Sequence, residues 1–482
     1  MEFISNELDD NAEKGDKSEE GSKIKVNAEA SSTELVNFKL KERFESTVKS
    51  EAFLGACAKM ERLLASNAYQ GQQKTFRGLM QPDPFLLIVE FKYRMELLWS
   101  FTSDHVRGRT VTGMCWNSLD TDLLAVGYGK YFYQDRKNGL VCCWTIKNPV
   151  QPERKYNFDS PVTSVNFSTE RPNLLACGFY NGSVIILDIS SRSKNVIASS
   201  SRDTSPSYEP VLQIFWFRED DYHQNEQLMT CCQDGRICKY RRDITLHCFP
   251  IMRVTRMDEK VKGIDQYRRS RTDQVIPVSR HPAALVLVRH PVDTLTYFVG
   301  TDDGCVHKCS INYLHNHMDI FVAHNGPVYS MQFSPFCSKI FLTCGADWCV
   351  RIWTEDIGQP LLTLNTTMEA VRGAAWSPIN ATIIAGISGS DIHFWDIRRT
   401  VFVPASTTTS PTDEGNMMIQ FTSSGLNLVV GDGDGAVHVY GLKDMPFSPF
   451  YQEIALVQAI KKALVTRPDL LEMLKKIGKP FY

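Results

Sequence analysis

The sequence predicts an all-β fold, a seven-bladed WD-repeat β-propeller, with helices flanking the ring at both ends and a disordered N-terminus. Three observations predict it. A strand, strand, turn, strand pattern recurs seven times from Val111 onward. The last copies recur at roughly the 40–45-residue period of WD blades. The turns inside the copies carry the Asn-Gly or Asp-Gly pairs that supply the positive φ of tight hairpins.

The copies begin at Val111, Val162, Val211, Ala284, Val328, Val371 and Met417. Their third strands end at Trp144, Asp188, Tyr240, Cys309, Trp353, Asp396 and Tyr440. Each first strand ends in an aromatic or polar residue, as in Val328–Phe333 followed by Ser334-Pro335, and each second strand runs into small residues or Gly, as in Leu123–Gly127. The hairpin slot reads Asn138-Gly139, Asn181-Gly182, Asp234-Gly235, Asp303-Gly304, Asp347-Trp348, Ser390-Asp391 and Asp434-Gly435. Alternation such as Val350 and Ile352 against Arg351 and Trp353 suits strands whose two faces meet different neighbours. One such sheet cannot bury both faces alone, so the copies must stack around an axis, and seven copies close a ring. Copies three and four read as stretched by insertions at Ser190–Pro210 and Arg241–Arg280.

The seventh copy lacks a closing strand, because Tyr440 runs into the Pro-containing Met445–Pro449. Met95–Phe101 is good strand material with no partner of its own, and is expected to close the seventh blade. The domain reading is therefore a charged, disordered tail over 1–32, a helical lead-in over 33–84, the propeller over 85–444 and a C-terminal helical extension over 445–482. Helical spacing of Leu35, Phe38, Leu40, Phe44, Phe53, Leu54, Met60, Leu63 and Leu64 supports the lead-in. Helices over about Gln452–Leu464 and Asp469–Ile477 are expected at the other end.

A formal net charge of −2 over 482 residues gives no electrostatic footprint for nucleic acid or a membrane surface. Met1–Lys25 has no apolar segment of the kind that opens a secretory signal, and apolar runs such as Phe85–Val89 are far short of a span. A soluble, cytosolic protein is expected. Cys142, Cys143, Cys177, Cys231 and Cys232 lie in strand-like runs, where cysteine acts as a small buried hydrophobe.

Neither a nucleophile elbow, a phosphate-binding loop nor a zinc-protease motif occurs, so catalysis, cofactors and metals are not expected. Gly431–Gly435 faintly resembles a calcium loop but lacks its ligand spacing and closing Glu, and fills a hairpin slot. Cys305, His307 and Cys309 share a strand face, at a spacing unlike the paired ligands of zinc sites. His324 precedes a first strand, where a structural hydrogen-bond network is the expected role. Trp395-Asp396-Ile397-Arg398 matches the WD-x-R pattern of cullin–RING ubiquitin-ligase substrate receptors, which stands as the alternative function.

The Arg241–Arg280 stretch is biased to positive charge. Arg241, Arg242, Arg253, Arg256, Arg268, Arg269 and Arg271 are the candidate partner-binding residues, as a docking element for an acidic surface. A solvated loop with its charges paired is the other reading.

Certain stretches resemble the axonemal dynein intermediate chains. Leu123–Gly129 with Gly139–Pro149 is similar to their first blade, Arg171–Gly182 to their second, and Glu51–Asn67 leading into Glu96–Phe101 to their lead-in. Within that family the two-headed inner-arm type is the nearest. The resemblance implies a scaffold whose propeller grips a helical stretch of the dynein heavy-chain tail, in company with other intermediate chains and light chains. It places the protein in the ciliary or flagellar axoneme and leaves ATP hydrolysis to the heavy chain. These chains usually carry a longer light-chain-binding region before the ring; here about ninety residues precede it.

Overall fold

The computed structural model describes residues 41–79, 91–129, 138–201, 208–218, 226–242, 245–256, 281–314, 316–365 and 368–477. The expected disorder of 1–32, with Arg268, Arg269 and Arg271, lies outside them. The chain divides into two compact units, 1–64 and 65–482. Described residues of the first are helical over 41–48 and from Glu51, in a helix Glu51–Ala68.

The second unit is built on seven four-stranded antiparallel sheets. In the first six blades the strands follow one another in sequence order, here lettered a to d from the axis outward. Blade one is Thr110–Trp116, Leu123–Gly129, Gly139–Thr145 and Arg154–Phe158. Blade two is Val162–Phe167, Leu174–Phe179, Val184–Asp188 and Asn195–Ser199, and blade three Val211–Phe217, Gln227–Cys232, Arg236–Arg242 and Leu246–Arg253. Blade four is Ala284–Arg289, Thr296–Thr301, Cys305–Ser310 and His317–Val322, and blade five Val328–Phe333, Ile340–Gly345, Cys349–Thr354 and Leu362–Asn365. Blade six is Val371–Trp376, Ile383–Ser388, Asp391–Asp396 and Ser406–Thr409. Blade seven takes strands a to c from Asn416–Phe421, Asn427–Asp432 and Val437–Lys443, and strand d from Arg94–Phe101.

The a strands touch in succession around the axis, and the last, Asn416–Phe421, touches the first, Thr110–Trp116. Closure is therefore twofold. Arg94–Phe101 pairs with Val437–Lys443 in a register that sets Leu97 opposite Tyr440 and Phe101 opposite Val437. Phe101 is fully buried and stacks 5.3 Å from Trp144 of blade one. Every a strand also carries a one-residue register shift near its start, from Val111/Gly113 to Asn416/Met418. Such bulges increase local twist, and the extra residue can reach the next blade: Thr112 Oγ1 donates to the Val162 carbonyl at 2.8 Å.

Strand b is buried on both faces in most blades, as in Leu174–Phe179 and Ile340–Gly345, because it lies inside its own sheet between two neighbouring sheets. Strand d is the opposite: Asn195–Ser199 buries only Ala198. The stretches Ser190–Pro210 and Arg241–Arg280 are thus only partly insertions. They contain the d strands Asn195–Ser199 and Leu246–Arg253, whose weak burial hid them from the hydrophobic pattern. At the hairpins, Gly304 shows why glycine is needed: its φ is +84°, and a Cβ there would lie 2.0 Å from the His324 carbonyl oxygen.

Two rims follow from strict antiparallel order. The b–c hairpins and the d-to-a connections share one rim, called upper here; the a–b loops and c–d turns share the lower. On the lower rim the helix Gln70–Phe76 lies across blades seven and one. Phe76 packs 5.5 Å from Trp99 and 6.2 Å from Trp116, and its carbonyl accepts from Asn427 Nδ2 at 2.7 Å. The helices Gln452–Ala463 and Pro468–Ile477 cover the lower rim of blades five and six. Leu456, Ile460, Leu464, Leu470 and Leu474 join one core cluster with Ile340, Ile357, Leu361, Ala381 and Ile397. Gln452 fixes the first of them, its Oε1 accepting from Ala381 N at 2.8 Å and its Nε2 donating to the Ile379 carbonyl at 2.9 Å.

Candidate interaction surfaces

Four of the seven candidate arginines lie among the described residues. Arg241 and Arg242 end strand c of blade three, on the lower rim. Arg253 and Arg256 follow the antiparallel strand d to the upper rim, where Arg253 pairs with Arg236 in register. A strand of this length separates the two pairs by roughly 20 Å, so residues close in sequence belong to opposite rims. Arg256 is committed, its Nη2 donating to both carboxylate oxygens of Asp302 at 3.3 and 3.2 Å. Arg241 and Arg253 are exposed, whereas Arg242 is half-buried and its pKa is lowered by burial and by the nearby Arg171.

His324 stands in a buried relay. Its Nδ1 lies 2.7 Å from Asp347 Oδ1, its Nε2 lies 2.7 Å from Thr343 Oγ1, and Thr343 Oγ1 accepts from Trp353 Nε1 at 2.8 Å. The Asp347 carboxylate can only accept, so Nδ1 carries the proton and Nε2 accepts from the threonine hydroxyl. Burial lowers the His324 pKa against the pull of Asp347. Burial alone would raise the Asp347 pKa, but His324 and Arg351 outweigh it and hold the carboxyl below its ordinary value. The relay ties the 4-to-5 connection to the hairpin of blade five: a structural lock, with every proton engaged.

The other candidates are equally absorbed. Cys305, His307 and Cys309 are buried. Burial pushes the His307 pKa down to about 4 and both thiols up to about 12, so all three are neutral near pH 7. Asp432 accepts from Ala436 N at 2.7 Å and Thr412 Oγ1 at 2.8 Å, and meets His438 Nε2 at 3.2 Å, which turns the Gly431–Gly435 segment inward as a hairpin. Asp396 of the WD-x-R stretch accepts from the Tyr93 hydroxyl at 2.6 Å and from Arg398 N at 3.0 Å, joining strand c of blade six to the lead-in to the ring. Among the described residues no group of three or more His, Cys, Asp or Glu is placed to hold a metal ion, and no helix is long and apolar enough to cross a membrane.

Two concave features stand out among the described residues. The axial channel opens through a mouth of about 300 Å³ bordered by Met331, Trp376, Met418 and Phe421, with no ionisable side chain in its lining. A groove of about 580 Å³ runs between Arg398 and the first C-terminal helix, past Phe450, Tyr451 and Lys462. Neither holds an acid–base pair of carboxylates or a histidine.

One residue escaped sequence reasoning. Trp348 occupies the hairpin position that Gly182, Gly235, Gly304 and Gly435 fill in other blades, at φ +68°, and its indole is 48% exposed on the upper rim. The signal was legible as the one hairpin slot in which Gly is replaced by a large aromatic.

The profile of a family described as the dynein axonemal intermediate chain 3 WD40 domain matches residues 95–262 and 255–442. The chain is 36% identical to dynein axonemal intermediate chain 4 of Rattus norvegicus over 358 residues, 73% of this chain and 44% of that protein. It is 32% identical to the Xenopus laevis protein of the same description over 406 residues, 81% of this chain and 54% of that one. It is 25% identical to the 78 kDa intermediate chain of the flagellar outer arm dynein of Chlamydomonas reinhardtii over 403 residues, 81% and 56%. The chain spans about half the length of these curated relatives. The match runs from the closing strand of blade seven through all seven blades to its last hairpin strand, and on that ground the chain belongs to the family of axonemal dynein intermediate chains.

Proposed function

We propose that the chain is a non-catalytic intermediate-chain subunit of an axonemal dynein motor. Its propeller would bind the heavy-chain tail and thereby help assemble and anchor the complex for ciliary or flagellar motility. The family match across all seven blades carries this reading. It is supported by a channel mouth without ionisable groups and by polar clusters whose protons are spent on holding blades together. The other partners are further intermediate chains and light chains, and the site of action is the axoneme, reached from the cytoplasm. The exposed Arg241 and Arg253 stand on opposite rims and would serve different acidic segments of a partner.

Affinity purification of the tagged full chain from ciliated cells tests the reading. Dynein heavy chain should be the dominant large partner, with intermediate and light chains beside it. Recovery of a cullin adaptor in its place would overturn the proposal in favour of a ubiquitin-ligase receptor.

A further inference from the structure

We infer that the groove between blade six and the helix Gln452–Ala463 is a docking site for an acidic amphipathic helix of a partner protein. Phe450, Tyr451 and Ile454 form its apolar wall, and Arg398 and Lys462 its charged borders. This goes beyond the reading of the chain as a dynein subunit, since it fixes a surface and the chemistry of the segment that surface takes.

The wall is held in place. Ser448 Oγ donates to the Ile379 carbonyl at 2.7 Å, and Gln452 Nε2 donates to the same carbonyl at 2.9 Å and to the Pro449 carbonyl at 2.8 Å. Gln452 Oε1 accepts from Ala381 N at 2.8 Å. The turn from Ser448 to Gln452 is thus pinned to the a–b loop of blade six, and Pro449 stiffens it. On the following turns of the helix, Leu456, Val457 and Ile460 are buried in the core. The side chains between these fixed points are left outside: Phe450 is wholly exposed, and Tyr451 and Ile454 are more than half exposed. Three large side chains grouped on a rigid surface differ from the single exposed apolar residues of an ordinary surface. Aromatic anchors of this kind carry much of the energy of an interface.

The form of the groove suits a helix. Tyr451, Ile454, Ala455, Gln458, Ala459 and Lys462 recur at the three- and four-residue spacing of one helix face. They run along about three turns, roughly 17 Å. Ala455 and Ala459 keep the floor low, so a second helix can approach to about 8 Å between axes. The charge selects an acidic one. Arg398 stands on the c–d turn of blade six and Lys462 near the far end of the helix; both are exposed, and neither makes an ion pair among the described residues. Among the described residues no carboxylate lines the groove. Glu453 of the same helix serves the opposite flank, where burial and then its charge raise the pKa of Cys337 in the a–b loop of blade five. The neighbouring Arg399 is engaged, its Nη1 donating to the Phe91 carbonyl at 3.1 Å. An apolar wall bordered by two unmatched cations complements a helix with a stripe of Leu or Met and carboxylates along its edges.

The test uses the full chain and a labelled helical peptide of Leu, Ala and Glu, beside a counterpart with Lys for each Glu. Anisotropy should show binding of the acidic peptide and not of the basic one, weakening as salt is raised. Phe450→Ser combined with Tyr451→Ser should weaken it about tenfold or more. The melting temperature should stay level or rise, because both rings lie in solvent and serine is a better helix cap than tyrosine. Arg398→Glu combined with Lys462→Glu should exchange the preference, so that the basic peptide binds and the acidic one does not. Equal binding of both peptides by the parent, binding of neither, or a preference that survives the reversal would overturn the site. Sedimentation of the parent tests the other occupant: a dimer that the serine variant returns to monomer would give the groove to a second copy of this chain and overturn the partner assignment.

Discussion

Thr343→Val removes one oxygen from the relay Trp353–Thr343–His324–Asp347 and changes almost nothing else, because valine matches threonine in shape. Trp353 Nε1–H then loses its acceptor at 2.8 Å and His324 Nε2 its donor at 2.7 Å. All four residues are buried or nearly so, which keeps water from replacing the lost oxygen. A buried polar group left without a partner costs about 1–3 kcal/mol, so two such groups amount to roughly 2–6 kcal/mol. A ring of roughly 350 residues has an unfolding entropy of about 0.7 kcal/mol/K, and the loss becomes a drop of about 3–8 °C in Tm. Calorimetry at one fixed scan rate reads it. A double-mutant cycle sharpens the assignment: Trp353→Phe should cost less in the Thr343→Val chain than in the parent, with a coupling of about 1 kcal/mol or more. A Thr343→Val chain that melts within about 1 °C of the parent would refute the relay as a stabilising unit.

Three further outcomes are expected. His307, with neither ring nitrogen hydrogen-bonded among the described residues and its pKa lowered to about 4, favours the folded state only while neutral. Its contribution is present above the unfolded value of about 6.5 and is lost as pH falls through about 4. His324 and His393 are lowered in the same direction. His307→Leu should raise Tm at pH 7 and flatten its decline between pH 6.5 and 4; parallel pH curves for variant and parent would count against this. Phe76→Ala removes a ring packed on Trp99 and Trp116, a loss of about 3–5 kcal/mol that falls on the docking of one short helix. Limited proteolysis before Tyr93 should accelerate while the ring melts as before, and unchanged cleavage would show the helix held by other contacts. A chain begun at Thr102 exposes the Val437–Lys443 edge and should aggregate; a monomer melting like the parent would show that blade seven needs no fourth strand.

The fold class was legible because strands a to c combine burial with turn chemistry. Leu174–Phe179 is apolar throughout since both its faces are covered, and Asn181-Gly182 punctuates it. The d strands were not legible, because a strand at the outer edge of a blade needs few apolar residues. Ser406–Thr409 is four hydroxyl residues held mainly by its ladder to Asp391–Phe394. The candidate arginines show a different limit. Counting charge along Arg241–Arg256 joins what a hairpin separates, since sequence proximity places residues together only within a turn. Contacts across the ring were beyond pattern reasoning altogether: Tyr93 reaches Asp396 over 303 positions. The Asp347-Trp348 pair reads as a turn, and the structure adds that a tryptophan holds the positive φ that glycine takes in four other blades.

The way the ring closes also decides where the flanking helices pack. Strand d of blade seven comes from the N-terminal side, and a d strand runs from the lower rim to the upper. Strand c of the same blade runs the other way and ends at the lower rim. Both flanking segments must therefore leave the ring from one place, where Tyr93 N donates to the Asp444 carbonyl at 3.3 Å and Arg94 meets Asp444 at 3.8 Å. The packing follows from that necessity. The helices Gln452–Ala463 and Pro468–Ile477 follow the last strand by a short connection and pack on that rim, where the helix Gln70–Phe76 packs as well. The apolar a–b loops they cover, from Cys337 to Ala381, would otherwise be open surface.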